Sequence, residues 1–299
     1  MYRIESNMEH PSIKAIRKIK ILHEGFNMSF IEHPDHKNQY LATIRDKFNS
    51  TEYEYPTIEN LVYLVRLDSS FQVLESKQLK EPSRKRYESF TTGLEDCRLV
   101  NDNMMTGVLL DNSEHWVPEM CLCHFDRNTH NISKIIVFNT NSEEPRPEKN
   151  WLVLKRNSNK FFMLYSYDPL KVMSVDIDSG ECHLVHFQKI FNLENCEVHG
   201  GAVIHLERER KYLATVRIVN DNNYMFSMWL LLNEQYKLCG MSTGFLFSEP
   251  VEGKARYEMC MSLVEKNGFL YASVSVDDKE IYVYEFSLES ILDSTNAYE

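Results

Sequence analysis

Several things are scarce in this chain of 299 residues, and each scarcity removes a class of answer. Basic residues are outnumbered, 33 Lys and Arg against 44 Asp and Glu, for a formal net charge of -11. A surface for nucleic acid or for an anionic membrane needs the opposite balance, so neither partner is expected. A neutral partner such as a sugar is compatible with this charge, and an anionic one needs a local basic pocket. No apolar run approaches the ~20 residues of a membrane span. No apolar stretch follows Met1-Tyr2-Arg3-Ile4-Glu5, so no secretory signal is expected, and the sequons at Asn27, Asn49 and Asn131 read as chance. The seven cysteines are scattered, odd in number and free of any Cys-x-x-Cys. They read as free thiols in a reducing, cytoplasmic compartment. Phosphate-loop glycines and zinc-ligand spacing are both missing, so no metal and no resident cofactor are expected. Asp176-Ile177-Asp178-Ser179-Gly180 begins like a calcium loop but lacks the later acidic ligands, and turn chemistry explains it better.

Helix signals are few as well. Ser287 to Leu292 reads as a short terminal helix with Ser287 as its cap. What the chain has instead is repetition. Tyr40-Leu41-Ala42-Thr43-Ile44-Arg45 recurs as Tyr212-Leu213-Ala214-Thr215-Val216-Arg217. A looser unit, an apolar and aromatic strand ending at a polar turn with a further short strand behind it, occurs five times. Its turn residues are Asp68, Asp126, Asp176, Asn233 and Ser287, at intervals of 50 to 58 residues. Strand-turn-strand units of this period predict an all-β, five-bladed β-propeller. The repeats run almost end to end, so residues 1–299 read as one domain without a linker. A strand from about Lys18 to Leu22 is expected to complete the last blade and protect its edge.

In a propeller the inner strands converge on one axis, so loops 50 or so residues apart can meet there. Five polar segments sit at such positions. They are Arg45, Glu95-Asp96-Cys97-Arg98, Glu148-Lys149-Asn150-Trp151, His199-Gly200-Gly201-Ala202 and Ser275-Val276-Asp277-Asp278. Taken singly, each is compatible with a solvated loop or a tight turn. Their recurrence, once per repeat, points to a site. Glu95 and Asp96 follow a glycine turn and precede an apolar run. An adjacent acid pair can hold one carboxyl protonated and the other ionised, as proton transfer requires.

Gly93-Leu94-Glu95-Asp96-Cys97-Arg98 resembles the Gly-x-Glu-Asp-Pro-Arg motif of glycoside hydrolase family 130, the β-mannoside phosphorylases and related hydrolases. The β-1,2-mannosyltransferases of glycosyltransferase family 108 share that fold. Asn27-Met28-Ser29-Phe30-Ile31 with Tyr40 to Arg45 is similar to the family's first blade, Glu148 to Trp151 to its lysine motif, His199-Gly200-Gly201 to its His-Gly segment, and Asp277-Asp278 to its last-blade aspartate. The likeness covers most of the chain in the right order.

The resemblance implies inverting cleavage or transfer of β-linked mannosyl groups, on an oligosaccharide or sugar phosphate, with phosphate or a sugar phosphate as possible co-substrate. It implies Asp96 as general acid, acting on the glycosidic oxygen through a substrate hydroxyl in the phosphorylases. Glu95, Arg45 and Arg98 would hold sugar hydroxyls or an anion, Lys149 and His199 would serve the anion side, and Asp278 would bind sugar hydroxyls. Three positions depart from the family. Cys97 stands where it has proline, Ser275 where it has glycine, and Arg217 where it often has histidine. The paired phosphate-binding arginines have no counterpart, since only Arg127 and Arg146 lie between Arg98 and Trp151. A second reading stays open, a catalytically silent propeller that binds a glycan or a protein at the same place.

Overall fold

The repeated apolar runs are strands because β-branched and aromatic side chains suit a pleated surface packed on both faces. The computed structural model describes residues 10–50, 57–87, 89–115, 117–142, 146–191, 196–221, 224–251 and 256–297. In chain order, β1 (Arg17–Ile21) comes first. The first blade is then β2 (Phe26–Glu32), β3 (Tyr40–Ser50), β4 (Thr57–Leu67) and β5 (Val73–Gln78), with β6 (Thr91–Thr92) added against β4. The second is β7 (Leu94–Leu99), β8 (Met104–Leu109), β9 (Glu119–Asp126) and β10 (Asn131–Val137). The third is β11 (Leu152–Arg156), β12 (Lys160–Tyr167), β13 (Leu170–Asp176) and β14 (Cys182–Gln188). The fourth is β15 (Cys196–Leu206), β16 (Lys211–Asn220), β17 (Met225–Asn233) and β18 (Leu238–Met241). The fifth is β19 (Glu258–Lys266), β20 (Phe269–Val276) and β21 (Glu280–Ser287), with β1 as its fourth strand. The helix α1 (Leu288–Ser294) follows, and β22 (Asn296–Ala297) pairs with β18. This is the expected five-bladed, all-β propeller.

The five expected turn residues fall at equivalent places, at or just past the end of each blade's third strand. Each uses its side chain to close the turn. Asp68 Oδ1 accepts from the Ser70 and Gln72 N–H groups, Asp126 Oδ1 from Asn128 and Thr129, Asp176 Oδ1 from Asp178 and Ser179, and Asn233 Oδ1 from Gln235 and Lys237. Short polar side chains that satisfy backbone donors in this way are why such residues recur at turns. Ser287 does the same for α1, its Oγ accepting the Ser290 N–H as a helix cap. The fourth strand of this blade does not follow Ser287 but comes from the start of the described chain. β1 runs antiparallel to β21 there, Arg17 opposite Glu285 and Ile21 opposite Ile281.

The core lies between blades. Trp151, Phe161 and Phe138 fill the space between the second and third, and Trp229, Phe247 and Phe286 that between the fourth and fifth, where α1 adds Leu288 and Ile291. Each such buried side chain contributes about 1.5–3 kcal/mol. All seven cysteines are free, Cys121 and Cys123 buried with sulfurs 3.8 Å apart. No helix among the described residues is long and apolar enough to cross a membrane.

The feature that shapes the axis is a bulge in every innermost strand. The ladder slips between Phe26 and Ser29 in β2, Glu95 and Arg98 in β7, Val153 and Lys155 in β11, Gly200 and Val203 in β15, and Cys260 and Ser262 in β19. A bulge bends a strand and redirects the side chains after it.

Candidate active site at one end of the axis

The innermost strands run the same way along the axis, so their first residues share one end. Asn27, Glu95 and Asp96 belong there, with Lys149 and Asn150 just before β11, His199 in β15 and Tyr257 just before β19. Two of the bulges set this end directly. Asn27 and Asp96 both hold left-handed backbones, φ 51° and 50°. Asn and Asp tolerate this region better than most residues.

Asp96 Oδ1 accepts from Asn27 Nδ2 at 2.6 Å and from Arg45 Nη1 at 2.9 Å. Arg45 Nη2 lies 3.2 Å from Glu95 Oε2, and Arg45 Nε donates to Asn60 Oδ1 at 2.7 Å. One buried guanidinium thus holds both acids and is held by a third group. Asn60 Nδ2 donates onward to the Thr92 carbonyl, tying β4 to the strand that leads into the acid pair. Burial pushes the Glu95 carboxyl up, and the Asp96 charge adds to this while Arg45 opposes it. Burial thus favours the protonated form of Glu95, and Arg45 ties the two carboxyls together.

The residues ahead of the pair are anchored by a buried ion network. Gly93 N–H donates to Asp111 Oδ2 at 3.2 Å and Leu94 N–H to Glu81 Oε1 at 3.0 Å. Arg84 bridges Asp111 and Glu81, and Arg86 lies 3.1 Å from Glu81 and 3.6 Å from Asp111. Asp111 is wholly buried. Gly93 has φ 81° and an added Cβ would strike the Asn60 carbonyl, so glycine is needed at this turn.

Across the axis the charge is positive. Arg217 lies opposite His199 in the β15–β16 pair, stacked 4.7 Å over Tyr257, and its Nε and Nη1 are buried with no partner among the described residues. His199 Nε2 is 3.2 Å from Glu197 Oε2. Burial, then the charge on Arg217, holds His199 below the ordinary imidazole value, with Lys149 acting in the same sense and Glu197 against it. The Lys149 charge acts on both Glu95 and His199. Gly200 and Gly201 are not a turn. They lie inside β15, where Gly200 packs on the Tyr167 hydroxyl and Asn150 carbonyl and Gly201 on Thr215.

Asp278 joins the same end through Lys47. Its Oδ2 is 3.4 Å from Lys47 Nζ, its Oδ1 is buried with no partner among the described residues, and Lys47 and Arg45 both lie over the Phe26 ring, at 4.6 and 5.1 Å. Arg98 goes elsewhere. After the β7 bulge its Nη1 donates to the Met261 carbonyl, and the side chain lines a cavity toward the other end of the axis. Arg127 pairs with Asp35 and Asp102, and Arg146 with Glu148.

The departures have local reasons. Cys97 is buried against Gly107, and its carbonyl accepts from Thr43 Oγ1. The Ser275 hydroxyl accepts the Asn27 N–H at 3.2 Å. Asn27, Asn60, Lys47 and Tyr257 did not stand out as site residues in the sequence. The available signal was an asparagine breaking an apolar strand, Asn27 before Met28 and Asn60 before Leu61. Among the described residues no cluster of His, Cys, Asp and Glu has the makings of a metal site.

Comparison with solved structures defines the class of fold. The chain is similar to β-1,2-mannobiose phosphorylase from Listeria innocua in complex with β-1,2-mannobiose, with a TM-score of 0.62 at 12% identity over 94% of each chain. A structure from the family 130 mannoside phosphorylases, described for glycoside hydrolases that target β-1,2 mannosidic linkages in Candida mannan, gives 0.61 at 10% identity over 89% of this chain and 85% of that one. MPT-4, a mannose phosphorylase from Leishmania mexicana in complex with phosphate ion, gives 0.54 at 10% identity over 96% of this chain and 92% of that one. No family model and no curated protein sequence matches the chain. At these identities the likeness establishes the fold: a five-bladed propeller like those of the mannoside phosphorylases.

Proposed function

We propose that this protein is a carbohydrate-active enzyme that cleaves β-linked mannosyl groups with inversion and uses phosphate as the nucleophile. The observation that carries the reading is the facing arrangement. The Glu95–Asp96 pair is clamped by Arg45, and Arg217, with two nitrogens uncommitted among the described residues, sits beside His199 on the other side. The solved relatives include one with mannobiose and one with phosphate, which fits a sugar next to an anion.

In this reading Asp96 delivers a proton to the departing glycosidic oxygen, and the bond from that oxygen to the anomeric carbon breaks. A phosphate oxygen forms the new bond from the opposite face, so the product is α-mannosyl phosphate. Phosphate is already anionic and needs charge-assisted donors more than a base, a task suited to Arg217 and Lys149. Asn27 Oδ1 and Asp278 Oδ1, both without a partner among the described residues, suit sugar hydroxyls. Arg45 has its nitrogens engaged and serves to set the acids. The same site run backwards transfers mannose from its 1-phosphate to an acceptor sugar. We read 1–299 as one propeller domain, and its free thiols fit a reducing compartment such as the cytoplasm.

The test is steady-state cleavage of β-1,2-mannobiose at varied phosphate. Lys149→Ala and Arg217→Ala should each raise the KM for phosphate by about tenfold or more, as the loss of a charge-assisted hydrogen bond does. Turnover that is independent of phosphate shifts the reading to hydrolysis. No turnover, with saturable mannobiose binding, shifts it to a silent glycan-binding propeller.

A further inference from the structure

At the other end of the axis, the later residues of β2, β7, β11, β15 and β19 enclose a cavity of about 300 Å³. Arg98 enters it from β7. Its guanidinium is more than nine-tenths buried, one nitrogen donates to the Met261 carbonyl, and Nη2 has no partner among the described residues. Lys155, Arg156 and His205 also line the cavity and are exposed at its mouth. No Asp or Glu belongs to the described lining, although the chain as a whole carries a charge of -11.

Three hydroxyls, those of Ser29, Thr106 and Ser262, complete the polar inventory. Ser29 Oγ accepts the Leu99 N–H at 3.1 Å and Ser262 Oγ accepts the Phe30 N–H at 3.0 Å. Both serine hydroxyl protons are then left to donate. The remaining wall is mostly apolar. Burial disfavours the Arg98 charge and the Asp96 charge offsets this in part, but the Asp96 hydrogen bonds go to Arg45 and Asn27. A buried cationic donor without a partner is costly, and an anion offsets the cost.

We propose that this cavity binds a small oxyanion with a phosphate head, Arg98 as its deep anchor and Arg156 and His205 at its mouth. A fixed guanidinium fork with hydroxyl donors beside it matches phosphate geometry, and the mouth raises the local anion concentration. The apolar wall accommodates a compact organic body on that phosphate. The site does not depend on the Asp96 chemistry and involves none of its donors.

The experiment is amide NMR on the whole protein, titrated with inorganic phosphate and, in a second arm, with phenyl phosphate. The expected result is saturable shifts at Leu99, Val203 and Ser262 that persist in Lys149→Ala. In Arg156→Ala/His205→Ala, which alters only exposed side chains, the affinity read at these amides should fall about tenfold. Tighter binding of phenyl phosphate identifies a phosphate monoester as the ligand, and equal binding identifies free phosphate. Shifts confined to Glu95 and His199, no shift with either probe, or affinity unchanged in the double variant would overturn the proposal.

Discussion

At the residue scale the site turns on one arginine between two carboxylates. Arg45 meets Asp96 at 2.9 Å and Glu95 at 3.2 Å, and Asn60 fixes its third nitrogen. Glu95 has a measurable consequence. Its folded-state pKa is raised, chiefly by burial, so the native chain holds this proton more tightly than the unfolded chain. The associated stability is present below the ordinary value of 4.5 and is lost as pH rises through the elevated folded value. Glu95→Gln cannot ionise, so its thermal midpoint relative to the parent should improve as pH rises from 4.5 through neutrality. Parallel midpoint-against-pH curves for the two proteins would contradict this. The acid pair itself was legible in the sequence, because Gly93 to Arg98 carries a turn, two acids and a base together. The destination of Arg98 was not. It follows a bulge between Glu95 and Arg98, and alternation along the strand cannot be counted across one.

At the scale of elements, the acid pair is only as well placed as the segment leading into it. Asp111 and Glu81 accept the Gly93 and Leu94 N–H groups while Arg84 and Arg86 bracket both carboxylates. Removing one partner leaves buried charge uncompensated, so Asp111→Asn should destabilise by about 3 kcal/mol. Chemical denaturation measures this, and a loss indistinguishable from zero would mean that Arg84 and Arg86 do not depend on Asp111. This anchor escaped sequence reading. Glu81 and Asp111 lie 30 residues apart, and Arg84 and Arg86 sit in a basic run that also suits a solvated loop. The blades were legible for a different reason. Each third strand ends in a residue whose side chain closes the next turn, and that local chemistry survives without any knowledge of neighbours. The same rule explains Ser287, where the closed turn starts a helix instead of a strand.

At the scale of the whole molecule, stability and function both depend on closing the ring. β1 is separated from β21 by nearly the full chain, yet pairs with it over five residues and buries Ile21 beside Ile281 and Val283. Removing residues up to 22 uncovers the β21 edge and that core. The shortened chain should lose its cooperative thermal transition and associate through the open edge; a monomer with an unchanged midpoint would show that β1 contributes nothing. Closure also brings Ser275 of the last blade to Asn27 of the first, and Asn27 to Asp96 of the second. The acid is thus held by a chain of contacts that crosses the seam.

The central claim is that Asp96 protonates a leaving sugar while phosphate attacks from the far side. The most direct measurement is phosphorus and proton NMR of the products when the parent and Asp96→Asn are incubated with β-1,2-mannobiose and phosphate. The account predicts α-mannose 1-phosphate from the parent. Asp96→Asn keeps the size of the side chain but has no proton to give, so its rate should fall by about two to four orders of magnitude while it stays folded. Release of free mannose alone, or equal rates from the two proteins, would contradict it.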